Sequence, residues 1–257
     1  MEHREMSMFY EDRGNDKIPV ILLHGYPLDH TIWAQVAERL VLHARVITPD
    51  LPGMGRSPLV GSVGMRAMAQ GIADLMDVLA LDKAVLVGHS MGGYVALSFA
   101  HAFPYRLLGL GLVSTQAGAD STERKQARLK SADEVKRKGV KVVAEAMARK
   151  LTTHPELIPS ITELIMQTHP NGVVNALKGM AAREDTTEWL GDITVPTVVI
   201  TGNDDTLIPP EKSREMVQLL NRAWLVEIPS AGHMPMMEKP DAVADALQAL
   251  VIRSQQD

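Results

Sequence analysis

Gly88-His89-Ser90-Met91-Gly92-Gly93 is the stretch on which the reading of this chain turns. It follows the short apolar run Ala84 to Val87 and opens the helical stretch Met91 to Phe103, which stops before Pro104. A serine between a buried strand and a helix sits on a tight, strained turn, and glycines two positions before and after it remove side chains that would clash where strand and helix approach. Its hydroxyl then points away from the sheet. A glycine-rich packing turn is the alternative reading, and the strand–turn–helix placement favours the nucleophile.

Working outward, Pro19 to Leu23, Ala44 to Thr48, Leu108 to Val113 and Pro196 to Ile200 are also largely apolar, Arg45 being the one charged residue among them. Such runs read as strands buried on both faces, as in a parallel sheet covered by helices. Between them, Ser62 to Ala80 places Met65, Met68, Ile72, Leu75, Met76 and Leu79 on one side of a helix, and further helices are expected over Pro210 to Leu220 and Asp241 to Arg253. The alternation predicts an α/β fold with a mostly parallel sheet. Thr115 to Glu188 breaks the rhythm: it holds no strand pattern and reads as four helices inserted over the sheet. The domain division that follows is a core in two parts, 1–114 and 189–257, with a helical cap at 115–188. The first helix of the insert, Glu123 to Lys141, carries eight Lys/Arg against three Asp/Glu. A solvated outer face is preferred there over steering of anionic substrates. The second presents Val140, Val143, Ala144, Met147 and Leu151 at helical spacing, and Pro155, Pro159 and Pro170 punctuate the rest.

A chain of 257 residues with 46% apolar side chains is long and apolar enough for one large domain carrying an inserted subdomain, which excludes a disordered or fibrous protein. With 26 Lys+Arg against 31 Asp+Glu, the net charge of −5 gives no footprint for nucleic acid or an anionic membrane. The absence of cysteine removes disulfides, thiolate metal sites and cysteine nucleophiles together. His24, His30, His43, His101, His154 and His169 lack metal-site spacing such as HExxH, so neither a catalytic metal nor a cofactor is expected. Met1 to Asp12 is mixed and charged, reads as an ordinary first strand rather than a secretory signal, and no run approaches a membrane span; a cytoplasmic monomer or homodimer acting on a small molecule is the expectation.

A serine hydroxyl needs a histidine base, and that base needs a carboxylate to hold its tautomer. Gly202-Asn203-Asp204-Asp205-Thr206-Leu207-Ile208-Pro209 follows the predicted strand Val195 to Thr201, and Gly232-His233 follows Ala223 to Ile228 through Pro229, Ser230 and Ala231. The order Ser90, Asp205, His233 is the one such an elbow requires. His89 should project away from the nucleophile and serve packing or orientation. For the oxyanion hole, one N–H should come from Met91 at the helix N-terminus, where the dipole favours negative charge. The other should come from His24-Gly25-Tyr26-Pro27; Pro27 has no N–H, which leaves Tyr26. A simple Gly-Pro turn is the other reading of that segment.

Taken together, these residues resemble the α/β-hydrolase superfamily along essentially the whole chain. His24 to Pro27 looks like its HG-x-P loop, Asp50-Leu51-Pro52-Gly53-Met54-Gly55-Arg56-Ser57 its DLPGxGxS turn, and Gly88 to Gly93 its GHSMGG elbow. Gly202 to Pro209 is similar to its GxxDxxxP acid loop and Ala231-Gly232-His233 to its AGH. The resemblance implies an eight-stranded, mostly parallel sheet with a helical cap after the sixth strand, and the acid loop's spacing implies Asp205 rather than Asp204. It is nearest to small carboxylesterases, enol-lactonases resembling 3-oxoadipate enol-lactonase, and cofactor-free perhydrolases. Ser90 separates the chain from haloalkane dehalogenases and epoxide hydrolases, which carry Asp there, and the HGGG loop of another esterase branch is absent. The implied activity is hydrolysis of small to medium esters through an acyl-enzyme, within a pocket drawn from Tyr26, Leu28, Met91, Met147, Met166, Met180 and Met234. Core packing is the other reading of those methionines. Lactone hydrolysis, perhydrolysis, C–C bond hydrolysis and a non-catalytic receptor on the same scaffold are the alternatives; a proline-specific aminopeptidase is disfavoured by the basic first helix of the insert.

Overall fold

The computed structural model describes residues 8–15, 17–59, 61 and 64–256. Its strands are β1 (Tyr10–Arg13), β2 (Pro19–Leu23), β3 (Arg45–Pro49), β4 (Ala84–His89), β5 (Leu107–Val113), β6 (Thr197–Gly202) and β7 (Ala223–Ile228). They form one sheet in the order β1-β3-β2-β4-β5-β6-β7, parallel except for β1, which runs antiparallel to β3. Every residue of β4 and β6 is buried, as expected of strands covered on both faces.

Seven strands among the described residues are one fewer than the resemblance implied, and the helical insertion accordingly follows the fifth strand rather than the sixth. Residues 1–7 of the expected first strand lie outside the described residues. The ladder with β3 begins at Tyr10; just before it, the Phe9 N–H donates to Ser57 Oγ at 2.8 Å and the Phe9 carbonyl accepts from the Asp50 N–H at 2.9 Å.

The helices are α1 (Ala34–Leu40), α2 (Met65–Val78), α3 (Met91–Ala102), α4 (Thr122–Lys138), α5 (Lys141–Leu151), α6 (Ile158–Gln167), α7 (Pro170–Ala181), α8 (Pro210–Leu219), α9 (Pro235–Glu238) and α10 (Pro240–Ser254). In α2 the expected stripe Met65, Met68, Ile72, Leu75 and Met76 is buried, while residues 62 and 63 of the predicted span lie outside the described residues. The sequence reading had not picked out α1, a short helix that packs on α10, nor the four-residue α9. Trp33 and Phe99, fully buried, each contribute roughly 1.5–3 kcal/mol of hydrophobic stabilisation.

The four helices α4 to α7 all lie between β5 and β6, with α4 packed on α7 and α5 on α6. They reach the core at close range. Thr168 Oγ1 donates to the Pro27 carbonyl at 3.0 Å, and Gly172 meets the Asp50–Ser57 turn so tightly that a Cβ there would lie 1.8 Å from the Gly53 carbonyl oxygen. Neither backbone can yield without moving α7. Gly172→Ala is therefore expected to cost about 1–3 kcal/mol, read as a lower urea midpoint at unchanged slope; an unaltered midpoint would show that α7 docks elsewhere.

The same turn is built around Asp50, which is buried. Its Oδ1 accepts from the backbone N–H of His30 at 2.8 Å and pairs with His30 Nδ1 at 2.7 Å, while Oδ2 accepts from the Arg56 N–H at 2.8 Å. His24 joins from the other side, its Nε2 accepting the Leu51 N–H at 2.8 Å. Burial works against charge on Asp50, but the His30 hydrogen bond and the backbone N–H groups of Arg56 and His30 outweigh it and lower its pKa. Burial likewise opposes charge on His30, and the hydrogen bond and charge of Asp50, with the charges of Asp29 and Glu11, raise its pKa from 6.5. A raised histidine stabilises the fold fully below 6.5 and loses that contribution as pH rises through its folded value; a lowered carboxylate contributes above its ordinary 3.8 and loses it as pH falls. Stabilisation by the pair is therefore greatest between those two limits. Substituting His30→Gln should lower urea stability more at pH 5 than at pH 9, and an equal loss at both pH values would contradict the pairing.

Candidate active site

In a parallel sheet the loops at the strands' carboxyl ends converge along one edge, and they converge most where neighbouring strands lead in opposite directions from a central pair. Here β2 lies between β3 and β4, with Leu23 in register with Gly88. The loop after β2 and the turn after β4 are thus neighbours, which brings Tyr26 alongside Ser90. On the other side, β5, β6 and β7 follow in order, so the loops after β6 and β7 deliver Asp205 and His233 to the same edge.

Ser90 adopts φ 51° and ψ −111°, a backbone conformation that side chains rarely take and that costs on the order of 1–3 kcal/mol. The surrounding contacts enforce it. The Ser90 N–H donates to the Val113 carbonyl at 2.9 Å, and its carbonyl accepts from Thr115 Oγ1 at 2.8 Å. A Cβ at Gly88 would lie 2.2 Å from the Gly92 carbonyl oxygen, which is why the turn needs glycine before the serine.

His233 Nδ1 lies 2.7 Å from Asp205 Oδ2, and His233 Nε2 lies 2.9 Å from Ser90 Oγ. A carboxylate only accepts, so Nδ1 carries the proton and Nε2 is left to accept from the serine hydroxyl. The second Asp205 oxygen, Oδ1, accepts from the backbone N–H groups of Leu207 and Ile208, both at 2.9 Å, which fixes the carboxylate's orientation. Asp204, by contrast, is exposed. Helix α3 begins at Met91, whose N–H therefore has no acceptor within the helix and stands beside the serine at the positive end of the helix dipole.

His89 closes β4 with its ring buried, 5.0 Å from that of His233. Its Nε2 donates to the His233 carbonyl at 2.8 Å. Burial, then the neighbouring charge of His233, push its pKa well below the ordinary histidine value, so it orients the His233 backbone as a neutral ring. Glu238 is a residue that sequence reasoning missed. Buried in α9, it accepts from the Gly232 N–H with Oε2 at 2.5 Å and from Thr152 Oγ1 and the Thr153 N–H with Oε1 at 2.5 and 2.9 Å, tying the His233 loop to the end of α5. Only its position in a run of apolar neighbours, Met236-Met237-Glu238, hinted at burial.

The cavity at Ser90 and His233 measures about 50 Å³. The core contributes Tyr26, Tyr94, Leu207 and Ile208 to its wall; the inserted helices contribute Met147, Met180 and two arginines, Arg124 and Arg128. Of the residues expected to form the substrate pocket, Tyr26, Met147 and Met180 lie in this wall and four others do not. The side chains of Leu28, Met91 and Met234 are fully buried in the hydrophobic core and are not among the residues lining the cavity, their apolar surface packing among the core residues instead. Met166 is 48% exposed, because α6 buries Ile161 and Ile165 and the next residue is rotated by about 100° toward solvent. The basic helix divides in the same way: Lys130, Lys136, Arg137 and Lys138 are solvated, whereas Arg124 and Arg128, one turn apart, face the cavity. Tyr94, four residues after Ser90 on α3, could have been found from that spacing.

Burial raises the pKa of the Tyr26 phenol despite the opposing charge of Arg128, so the group remains a hydrogen-bond donor. Among the described residues, Asp29, His30 and Asp50 are the one group with metal-ligand types close together, and their hydrogen bonds are those that build the turn. None of the helices among these residues is long and apolar enough to cross a membrane.

The chain is 41% identical to a thermophilic esterase from Thermogutta terrifontis whose structure was solved with malate bound, with a TM-score of 0.93 over 96% of this chain and 93% of that one. It is 29% identical to the pimeloyl-[acyl-carrier protein] methyl ester esterase of Chromobacterium violaceum, covering 94% of this chain and 97% of that protein. A 2-hydroxy-6-oxononadienedioate/2-hydroxy-6-oxononatrienedioate hydrolase of Burkholderia vietnamiensis is 27% identical, over 91% of this chain and 87% of its own. A family model described as the alpha/beta hydrolase fold matches residues 18–240. With that match spanning most of its length and agreeing with the strand order and the elbow, the chain belongs to the alpha/beta hydrolase fold family.

Proposed function

We propose that this protein hydrolyses small carboxylic esters through an acyl-enzyme on Ser90. The observation that carries the reading is the unbroken pair of hydrogen bonds from Ser90 Oγ to His233 Nε2, 2.9 Å, and from His233 Nδ1 to Asp205 Oδ2, 2.7 Å, at a strained strand-to-helix turn. In this mechanism His233 takes the serine proton as Oγ attacks the ester carbonyl, and the Asp205 carboxylate stabilises the imidazolium that forms. The backbone N–H groups of Met91 and Tyr26 hold the oxyanion of the tetrahedral intermediate. His233 then protonates the leaving alcohol. In the second half, water gives its proton to His233, attacks the acyl carbonyl and releases the acid with Ser90 restored. Helices α4 to α7 act as a cap that supplies the outer wall of the pocket, and Tyr26, Met147 and Met180 shape it.

A cavity of about 50 Å³ has room for roughly four water molecules, given that one needs about 10–15 Å³, which suits a short acyl group. Tyr94 also lines a second cavity of about 170 Å³, where the Arg183 guanidinium packs over its ring at 4.2 Å. Steady-state hydrolysis of p-nitrophenyl acetate, butyrate and octanoate should therefore show kcat/KM falling from butyrate to octanoate. Alongside, a fluorophosphonate should label one site, with the adduct on the Ser90 peptide by mass spectrometry. Labelling elsewhere, or a folded protein that turns over no ester, would refute the proposal; turnover confined to a parallel panel of small lactones would make it a lactonase with the same machinery.

A further inference from the structure

The polar lining of the Ser90 cavity is lopsided in charge. Arg124 and Arg128 both face it, and no Asp or Glu is found among the described residues that line it. The carboxylate that holds these arginines, Asp120, is buried behind the wall and is shared three ways: Arg128 Nε lies 2.5 Å from Oδ2, while Arg183 Nη1 and Arg124 Nε lie 3.1 and 3.6 Å from Oδ1. Asp185 is also near Arg183, but its oxygens accept from the backbone N–H groups of Ala119 and Thr187. Asp205 lies behind His233 and is hydrogen-bonded to it, so the charged side chains that reach the cavity wall beside the nucleophile are the two arginines. Arg128 is positioned by Asp120 without being saturated, since its Nη1 reaches only the weakly accepting sulfur of Met180 at 3.3 Å. Arg124 makes only a 3.5 Å contact to the Leu207 carbonyl besides its distant share of Asp120. Tyr26 lines the same cavity, and its buried hydroxyl has no hydrogen-bond partner among the described residues. A buried donor left unpaired costs about 1–3 kcal/mol, so an acceptor from outside the chain is the natural occupant.

We propose that Arg124, Arg128 and the Tyr26 hydroxyl form an anion subsite beside Ser90, and that the substrate is an ester or lactone bearing a separate carboxylate a few atoms from the scissile carbonyl. This rests on the hydrolase reading and extends it to substrate class. A planar carboxylate has two oxygens to share between a phenol O–H and guanidinium N–H groups, and such charge-assisted bonds are roughly twice as strong as neutral ones. Basic residues on α4 thereby have two roles: those facing out are solvated, and the two facing in select.

The test compares monomethyl succinate with dimethyl succinate, which differ by one charge. Wild type should prefer the monoanion in kcat/KM. That preference should fall about 10-fold in Arg124→Gln and about 100-fold in Arg124→Gln/Arg128→Gln. Arg128→Lys, which keeps the charge beside Asp120, should retain part of it and covers the case in which Arg128→Gln fails to fold. Independently of turnover, calorimetry should detect succinate binding to Ser90→Ala and its weakening in Ser90→Ala/Arg124→Gln. Hydrolysis of both esters with a ratio that the arginine substitutions leave unmoved would overturn the subsite while leaving the esterase reading intact. Arginine-dependent succinate binding in a protein that cleaves neither ester would do the reverse, and absence of arginine-dependent binding in Ser90→Ala would reject the subsite outright.

Discussion

Ser90→Ala is expected to lower kcat/KM for p-nitrophenyl butyrate by about 10⁴- to 10⁶-fold while leaving the urea midpoint at or above that of wild type. The rate loss follows from the covalent step: without Oγ there is no acyl-enzyme, and only the oxyanion donors and binding remain to assist direct attack by water. The stability half of the expectation comes from the site's geometry. Ser90 Oγ contributes only its hydrogen bond to His233, whereas the strained backbone at φ 51° is held by hydrogen bonds with Val113, Thr115 and Gly93, which alanine keeps. A variant that retains a tenth of wild-type turnover would place the nucleophile elsewhere. One that loses activity together with folding would say nothing against the chemistry only if Ser90→Cys, folded and acylated by the same ester, recovered the covalent intermediate.

The second large effect is expected at Asp205. Replacement by asparagine should cost about 10⁴-fold in kcat, and the physical reason lies in which oxygen does what. Oδ1 accepts from the Leu207 and Ile208 N–H groups, so the amide oxygen of an asparagine stays there and its NH₂ is turned toward His233 Nδ1. Two donors cannot face each other. His233 would answer by moving its proton to Nε2, and a protonated Nε2 cannot accept from Ser90. The same change at Asp204, exposed and one residue away, should alter kcat by less than about threefold, within the range of ordinary surface substitutions. Equal losses at the two positions would reverse the assignment, and pH–rate profiles of the two variants would show whether a histidine tautomer is the cause: only the Asp205 variant should change the limb that reports the base.

How much of this was legible beforehand differs by element. The five apolar runs lie within a residue or two of strands β2 to β6, because burial on both faces leaves a largely apolar signature that needs no partner to be recognised, and Ala223 to Ile228, a half-buried edge strand, is β7 as read. Four helices in 115–188 were legible for a similar reason, since proline and periodicity act locally. The α/β-hydrolase resemblance rested on turn chemistry at strand ends, where glycine and proline are dictated by backbone geometry, and the family match over residues 18–240 agrees with it. What remained out of reach was rotation. The four expected residues that lie outside the cavity wall, Leu28, Met91, Met166 and Met234, and the three unexpected ones within it, Tyr94, Arg124 and Arg128, differ in which way a side chain points once its element is docked.

By itself, then, the sequence determined strands β2 to β7, the elbow and the chain order of Ser90, Asp205 and His233, for these follow from local patterning and from a parallel sheet delivering its loops to one edge. Only the tertiary structure decided the distances among those three groups, the choice of Glu238 as the strut beneath His233, and the turning of Arg124 and Arg128 inward from a helix that reads as basic throughout. The last is settled by long-range packing, above all the backbone contact of Gly172 with Gly53 and the sharing of Asp120 by three arginines, which fixes how α4 and α7 sit over the site. Such contacts join residues that are far apart along the chain, and no local period encodes them.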